Sequence, residues 1–377
     1  MTVLGAMANK LEDLAIVGRR RSLVPRGGLD FASNDYLGLA GSVRLREAAV
    51  DAITRGVAVG SGGSRLLRGN CDEHERLEAE AANFFGSESA LFVSSGYGAN
   101  TLLFSTLPQR GDLVVYDALI HASAHEGMRL GRAETAAFAH NDVDAAADTI
   151  AGWRRRGGSG TPWIAVESLY SMDGDRASLS EIAALADRED AMLLIDEAHA
   201  TGLFGPDGRG LAAGLDGREN VVVLRTCGKA LGCEGALVLA PAIIRDFIVN
   251  RGRGFIFSTA PSPLIAAIVR ESLRCLRDEP ERRERLHALV EAAGRMLAGL
   301  GLPASGSPIQ PVIIGDDKRT MAVAAAMQAA GFDVRGVRPP TVPPGTSRLR
   351  LSLTLNVNET DVTALAAALG PALKGKM

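Results

Sequence analysis

The sequence predicts an α/β protein: a large domain with a mostly parallel, mixed sheet between helices, followed by a small α+β C-terminal domain. Three observations carry this expectation. Short unbroken apolar runs at Ala90–Val93, Leu113–Tyr116, Trp163–Glu167, Met192–Ile195, Val221–Arg225 and Ala236–Leu239 alternate with stretches of helical periodicity. Unbroken runs suit strands covered on both faces. The residues just after these runs are polar, and in such sheets ligands sit beyond the carboxyl ends of the strands. Beyond about residue 275 the pattern changes to charged helices interleaved with three strand-like runs. A length of 377 residues leaves room for about two domains. We read 1–45 as an N-terminal arm and helix, 46–275 as the large domain and 276–377 as the small one.

Charge and composition narrow the function classes. Lysine and arginine total 41 against 44 acidic residues, which leaves no polycationic face for nucleic acid and no acidic tail. No apolar run approaches the ~20 residues of a membrane span, and the N-terminus lacks the order of a signal peptide. A cytoplasmic protein is expected, with neither nucleic acid nor membrane as partner. Cys71, Cys227, Cys233 and Cys275 form no CxxC pair, and are read as reduced thiols without structural zinc.

Taken in order, Leu11, Leu14 and Val17 have helical spacing, and Arg19, Arg20 and Arg21 follow before Pro25 and the Gly27–Gly28 turn. An arginine triplet there is either a solvated helix end or a reach toward an anionic substrate group. The stretch Phe31–Ala40 is turn-rich. Gly60 to Arg65, GSGGSR, fails as a dinucleotide fingerprint and as a P-loop, because no strand precedes it and no Gly-Lys-Ser/Thr follows. His74, Leu77, Ala81, Phe84 and Phe85 mark a helix with Asp72 expected as its cap and Gly86 as its end. The run Ala90–Val93 then turns through Ser94–Asn100 into a helix, and the free N–H groups of such a helix start bind anions, phosphate above all. In the C-terminal part, Glu281–Leu300, Thr320–Ala330 and Glu359–Leu373 read as helices. Gln310–Gly315, Phe332–Arg335 and Arg348–Thr354 read as strands, and the N-terminal arm is expected to complete that domain.

One stretch stands out. Val221 to Leu239 reads VVVLRTCGKALGCEGALVL, two apolar runs around Lys229, in a chain whose other lysines are only Lys10, Lys318, Lys374 and Lys376. Lysine, unlike arginine, can lose its proton when desolvated and form a Schiff base. A solvated turn lysine is the plainer alternative. The other strand ends favour the chemical one: Asp117 and His121, Ser168 and Ser171, Asp196 and His199, and Thr226 would gather along one edge of the sheet. A lysine, a strand-end aspartate, two histidines and a phosphate-binding turn are the parts that pyridoxal phosphate requires. The lysine carries the aldehyde, and the aspartate keeps the ring nitrogen protonated so that the ring accepts electrons. The i, i+4 pair His121 and His125 also suits a metal, but no third ligand stands at matching spacing, so no metal is expected.

The same residues lie in longer motifs. From Ser33 to Thr354 the chain carries SNDYLGL, GSGGSR, SSGYGAN, HASAHEG, AHNDV, SMDGD, IDEAHATGLFGPDGRG, TCGKALG, FSTAPSP and RPPTVPPGTSRLRLSLT. With these it resembles the α-oxoamine synthases, a family of fold type I pyridoxal-phosphate-dependent transferases, over nearly its whole length. The RPPTVPPGT segment resembles the branch that joins L-alanine to a pimeloyl thioester more than the branches that use glycine or serine. The resemblance implies that Lys229 holds the cofactor and moves the α-proton, that Asp196 faces the pyridine nitrogen and that His121 stacks on the ring. It further implies cofactor contacts from Ser171, His199 and Thr226, with Gly96 and Tyr97 presenting N–H groups near the phosphate. Ser258 and Thr259 would reach a phosphate across the interface of a homodimer with shared active sites. Arg350 would grip the amino-acid carboxylate, and Arg19, Thr341 and His121 would contact substrate. Phe257 stands where the family often has tyrosine, and Arg68 where a small hydroxyl residue is frequent. A sister enzyme with another amino acid and acyl-CoA, or a non-catalytic dimer partner, are the competing expectations.

Overall fold

The computed structural model describes residues 2–375. Twelve strands occur in chain order among them: β1 Leu29–Asp30, β2 Ser89–Val93, β3 Leu113–Asp117, β4 Glu134–Phe138, β5 Pro162–Glu167, β6 Met192–Asp196, β7 Val221–Thr226, β8 Ala236–Ala240, β9 Ile309–Gly315, β10 Phe332–Asp333, β11 Arg335–Val337 and β12 Ser347–Ser352. The chain forms two compact units. One comprises Leu37–Ser171 and Arg176–Arg283; the other joins the segment ending at Tyr36, Met172–Asp175 and the segment from Glu284 onward. Among the described residues no helix is long and apolar enough to cross a membrane.

The first unit is built on a seven-stranded sheet of order β2-β8-β7-β6-β5-β3-β4. Its central strands are the apolar runs: every residue of β5, β7 and β8 is buried. β8 runs antiparallel to both β2 and β7, while the pairs from β7 through to β4 are parallel. Helices Gly96–Thr106 and Ala122–Leu130 cover one face, with Leu102, Leu103, Phe104 and Met128 packed against Leu194, Val222 and Val238. One strand of this sheet is absent from the sequence reading. β4, ETAAF, is an edge strand with only Phe138 buried, so it carries no apolar run. A second difference concerns the helix Asp72–Phe85: its N-cap is Cys71, and Asp72 is the first helical residue. Asp72 therefore places its charge at the positive end of the helix dipole without closing a capping bond. Gly86 ends the helix in the left-handed conformation at φ 76°, as a C′ glycine does.

In the second unit β12 lies between β11 and β9, antiparallel to both. The run expected as one strand over Phe332–Arg335 is split in two. β10 pairs in parallel with β1 of the N-terminal arm, whereas β11 pairs with β12. The backbone turns between them, where the Val334 N–H donates to the Phe332 carbonyl at 2.9 Å. The arm is further stitched in by Ser352 N–H to the Phe31 carbonyl at 2.9 Å and Leu355 N–H to the Tyr36 carbonyl at 3.0 Å.

Candidate active site

The carboxyl ends of β3, β5, β6 and β7 bring the first unit's polar residues to one edge. Asp196, the last residue of β6, is in register with Glu167 at the end of β5. No helix follows Asp196, so its carboxylate does not serve as a helix cap. It is instead fixed by two donors: Asn100 Nδ2 reaches Oδ2 at 2.7 Å, and the Ala198 N–H reaches Oδ1 at 2.9 Å. Asn100 lies in the helix Gly96–Thr106, and the same amide nitrogen donates to Ser123 Oγ at 3.0 Å. Ser123 Oγ is in turn 2.8 Å from Nδ1 of His121, the N-cap of the helix Ala122–Leu130. Partial desolvation lowers the His121 pKa, Lys229 and His125 add to that by repulsion, and the charge of Asp196 opposes it.

Lys229 sits half-buried in the loop between β7 and β8. The loop is a narrow hairpin: Cys227 N–H donates to the Gly235 carbonyl, and Cys233 N–H to the Cys227 carbonyl, both at 2.8 Å. Gly232 follows three residues after the lysine at φ 63°, and a Cβ there would lie 2.4 Å from Ala40 N. Only glycine meets both conditions, so this residue sets the course of the loop that carries Lys229. Thr226, buried at the base of the loop, accepts from Gly228 N–H at 3.3 Å.

The helix Gly96–Thr106 begins directly beside this loop. Ser95 caps it by accepting from Gly98 N–H at 3.0 Å, and a Cβ on Gly96 would approach Thr226 Oγ to 3.2 Å. First-turn N–H groups have no acceptor within a helix, so those of Gly96 and Tyr97 are available beside Thr226 for an anion. Ser171 is buried, and its N–H donates to Glu167 Oε2 at 3.0 Å. Burial drives the Glu167 pKa well above the usual carboxylate range, and the charge of Asp196 pushes it the same way. His199 is buried in the turn after β6, whereas Ser258 and Thr259 are exposed on this chain.

The remaining predicted residues belong to the second unit. Arg350, on β12, is buried and donates to Ser352 Oγ at 2.7 Å and to the Tyr36 hydroxyl at 3.3 Å. Burial raises the Tyr36 pKa, so the phenol stays protonated and accepts from the guanidinium. Arg19 is ion-paired to Asp317 at 2.7 Å, and Thr341 is exposed.

Asn100, Ser123 and the buried group around Arg225 were not singled out in the sequence. Arg225 precedes Thr226 on β7 and is wholly buried, pairing with Glu197 at 2.9 Å and with both oxygens of Asp216 at 2.9 Å, its guanidinium 4.2 Å above the Phe85 ring. It thereby ties the residue after Asp196 to the residue before Thr226. An arginine inside an apolar run was the available signal, since a buried charge needs partners.

Comparison with known proteins defines first the class and then the family. Residues 26–369 match the family model for aminotransferase class I and II. The chain is 42% identical over 380 residues to the 8-amino-7-oxononanoate synthase of Anaeromyxobacter dehalogenans (strain 2CP-1), covering 97% of this chain and 94% of that one. It is 41% identical over 343 residues to that of Chromobacterium violaceum, covering 90% and 88%. Among solved structures it is similar to a serine palmitoyltransferase from S. paucimobilis with bound PLP and myriocin, at TM-score 0.89 and 27% identity over 99% of this chain and 98% of that one. It is also similar to the 8-amino-7-oxononanoate synthase of Francisella tularensis, at TM-score 0.78 and 25% identity over 92% and 98%. The chain is thus a member of the class I and II aminotransferase group and, within it, belongs to the 8-amino-7-oxononanoate synthase family.

Proposed function

We propose that the chain condenses L-alanine with pimeloyl-CoA, or a pimeloyl carrier protein, to give 8-amino-7-oxononanoate, carbon dioxide and the free thiol, in biotin biosynthesis. The observation that carries this reading is the likeness to enzymes of that name at 42% identity over 97% of the chain. The chain's own residues fit pyridoxal 5′-phosphate. An amine, a doubly anchored carboxylate and an anion-binding helix start lie on adjoining elements of one sheet edge, and Ser95, Tyr97 and Gly98 are exposed, so that helix start is open to a phosphate. When bound, the cofactor supplies an aldehyde for the lysine and a ring that accepts electrons from the substrate α-carbon.

Each residue then has a task. Lys229 holds the cofactor and afterwards takes and returns the α-proton. Asp196, immobilised by Asn100 and the Ala198 amide, holds a proton on the ring nitrogen. His121 packs its flat ring against the cofactor and contacts substrate, while Ser171, His199 and Thr226 hold the cofactor's polar groups. Gly96 and Tyr97 bind its phosphate through their N–H groups. Arg350, kept straight by Ser352 and Tyr36, grips the alanine carboxylate and so orients the bond to be broken. Arg19 and Thr341 contact substrate, for which Arg19 must exchange Asp317 for a new anion. The enzyme works as a cytoplasmic homodimer, and the exposure of Ser258 and Thr259 on one chain fits their serving the phosphate bound by a second copy.

A serine-using reading draws support from the likeness to serine palmitoyltransferase; the higher identity to the oxononanoate synthases favours L-alanine. Mass spectrometry of reactions holding L-alanine, glycine or L-serine with pimeloyl-CoA decides between them. The expected result is 8-amino-7-oxononanoate from L-alanine, and no product with Lys229→Ala.

A further inference from the structure

We propose that Asn100 and Ser123 are positioning residues that fix His121 as its Nε2–H tautomer and tie its ring to the carboxylate of Asp196. The inference rests on the reading of His121 and Asp196 as cofactor-facing residues, and adds two residues that this reading does not contain.

The argument starts from what each group can donate. A carboxylate only accepts, so the atom of Asn100 at 2.7 Å from Asp196 Oδ2 is the amide nitrogen. That nitrogen has two hydrogens. The second points to Ser123 Oγ at 3.0 Å, which makes the serine oxygen an acceptor and leaves its own proton to give. The atom waiting for it, at 2.8 Å, is His121 Nδ1. A second donor aims at the same nitrogen: the Ser123 backbone N–H reaches Nδ1 at 3.3 Å. Two donors converging on one ring nitrogen require its lone pair, so in the neutral imidazole the proton is on Nε2. Desolvation, Lys229 and His125 favour that neutral ring, against Asp196 alone.

The relay is buried where it matters. Asn100 is 5% exposed and Ser123 1% exposed, so water does not compete for the bonds that the amide makes, and a donor left without its acceptor there is costly. Both residues lie on helices packed face to face, Gly96–Thr106 and Ala122–Leu130. Gly127 belongs to the same contact, since a Cβ there would lie 2.7 Å from Phe104 Cβ. The close approach lets a short asparagine span from one helix to both the next helix and the end of β6. Through it, the carboxylate of Asp196 and the imidazole of His121, the two groups that would face the cofactor, are set by one amide.

The test uses the full chain with ¹⁵N-labelled histidine, with and without pyridoxal 5′-phosphate. Long-range ¹H–¹⁵N spectra report the tautomer of each histidine, and a His121→Asn variant identifies the signal of interest among the six histidines. The relay predicts an unprotonated Nδ1 and a protonated Nε2 in the wild type. It also predicts a shift toward the averaged pattern of exchanging tautomers in Ser123→Ala, where the backbone N–H at 3.3 Å is the one donor of the pair left to Nδ1, and recovery in Ser123→Thr. Asn100→Leu should weaken binding of pyridoxal 5′-phosphate about tenfold, as expected for losing one hydrogen bond to a charged group. A protonated Nδ1 in the wild type overturns the proposal, as does a pattern that Ser123→Ala leaves unchanged. The tautomer is read without cofactor, so a chain that shows it but binds no pyridoxal phosphate supports the relay and overturns only the cofactor reading.

Discussion

Glu167 and Arg225 show how single buried ionisable groups shape this protein. The folded-state pKa of Glu167 lies above its ordinary value of 4.5, so the folded chain holds a proton that the unfolded chain releases. Stability is then full below the ordinary carboxylate range and falls as pH rises from there toward the folded pKa. Glu167→Gln keeps an acceptor for the Ser171 N–H and has no proton to lose. The variant should flatten that fall, read as the dependence of the urea midpoint on pH. Arg225 is the opposite case. Removing it in Arg225→Met strands Glu197 and Asp216 in the interior, both already pushed upward in pKa by burial. The expected cost is about 3–5 kcal/mol, the range for breaking a buried pair from one side, measured by chemical denaturation.

The hairpin from Thr226 to Ala236 shows how an element is specified by what cannot be placed there. Gly232 at φ 63° and Gly235 at φ 95°, the latter with a Cβ position 2.4 Å from the Phe92 ring, admit no side chain. Gly232→Ala should cost about 1–3 kcal/mol of backbone strain and displace Lys229, seen as a lower melting temperature together with weaker cofactor uptake. How far elements were legible in the sequence follows from what their signals encode. β5, β6, β7 and β8 were readable because burial on both faces leaves unbroken apolar runs. β4 was not, since an edge strand has no such requirement, and neither was the reversed direction of β8, since an apolar run carries no polarity. The parting of β10 from β11 depends on two partner strands that lie far away in the chain.

In the whole molecule, the polar residues after the strands were legible as a set because parallel sheets place ligands beyond the carboxyl ends of their strands. Lys229, Asp196 and His121 come from that rule and from the motifs around them. Asn100 was not legible in the same way, because its bond to Asp196 spans 96 positions and nothing in SSGYGAN names its partner. The assembly makes a further claim. If two copies share phosphate contacts, Ser258→Ala combined with Thr259→Ala should weaken cofactor binding about tenfold or more, as expected for loss of hydrogen bonds to a charged phosphate. The exposure of both residues makes the fold of the single chain indifferent to that change, which circular dichroism would verify. Sedimentation should give a dimer for the wild type.

The first measurement to make is the visible absorbance spectrum of the purified chain loaded with pyridoxal 5′-phosphate, scanned while L-alanine, glycine and L-serine are added separately. The expected result is a cofactor band that Lys229→Ala removes and that L-alanine shifts at the lowest concentration. A band that responds first to serine or glycine would contradict the L-alanine assignment, and a chain that takes up no cofactor would contradict the enzyme reading itself.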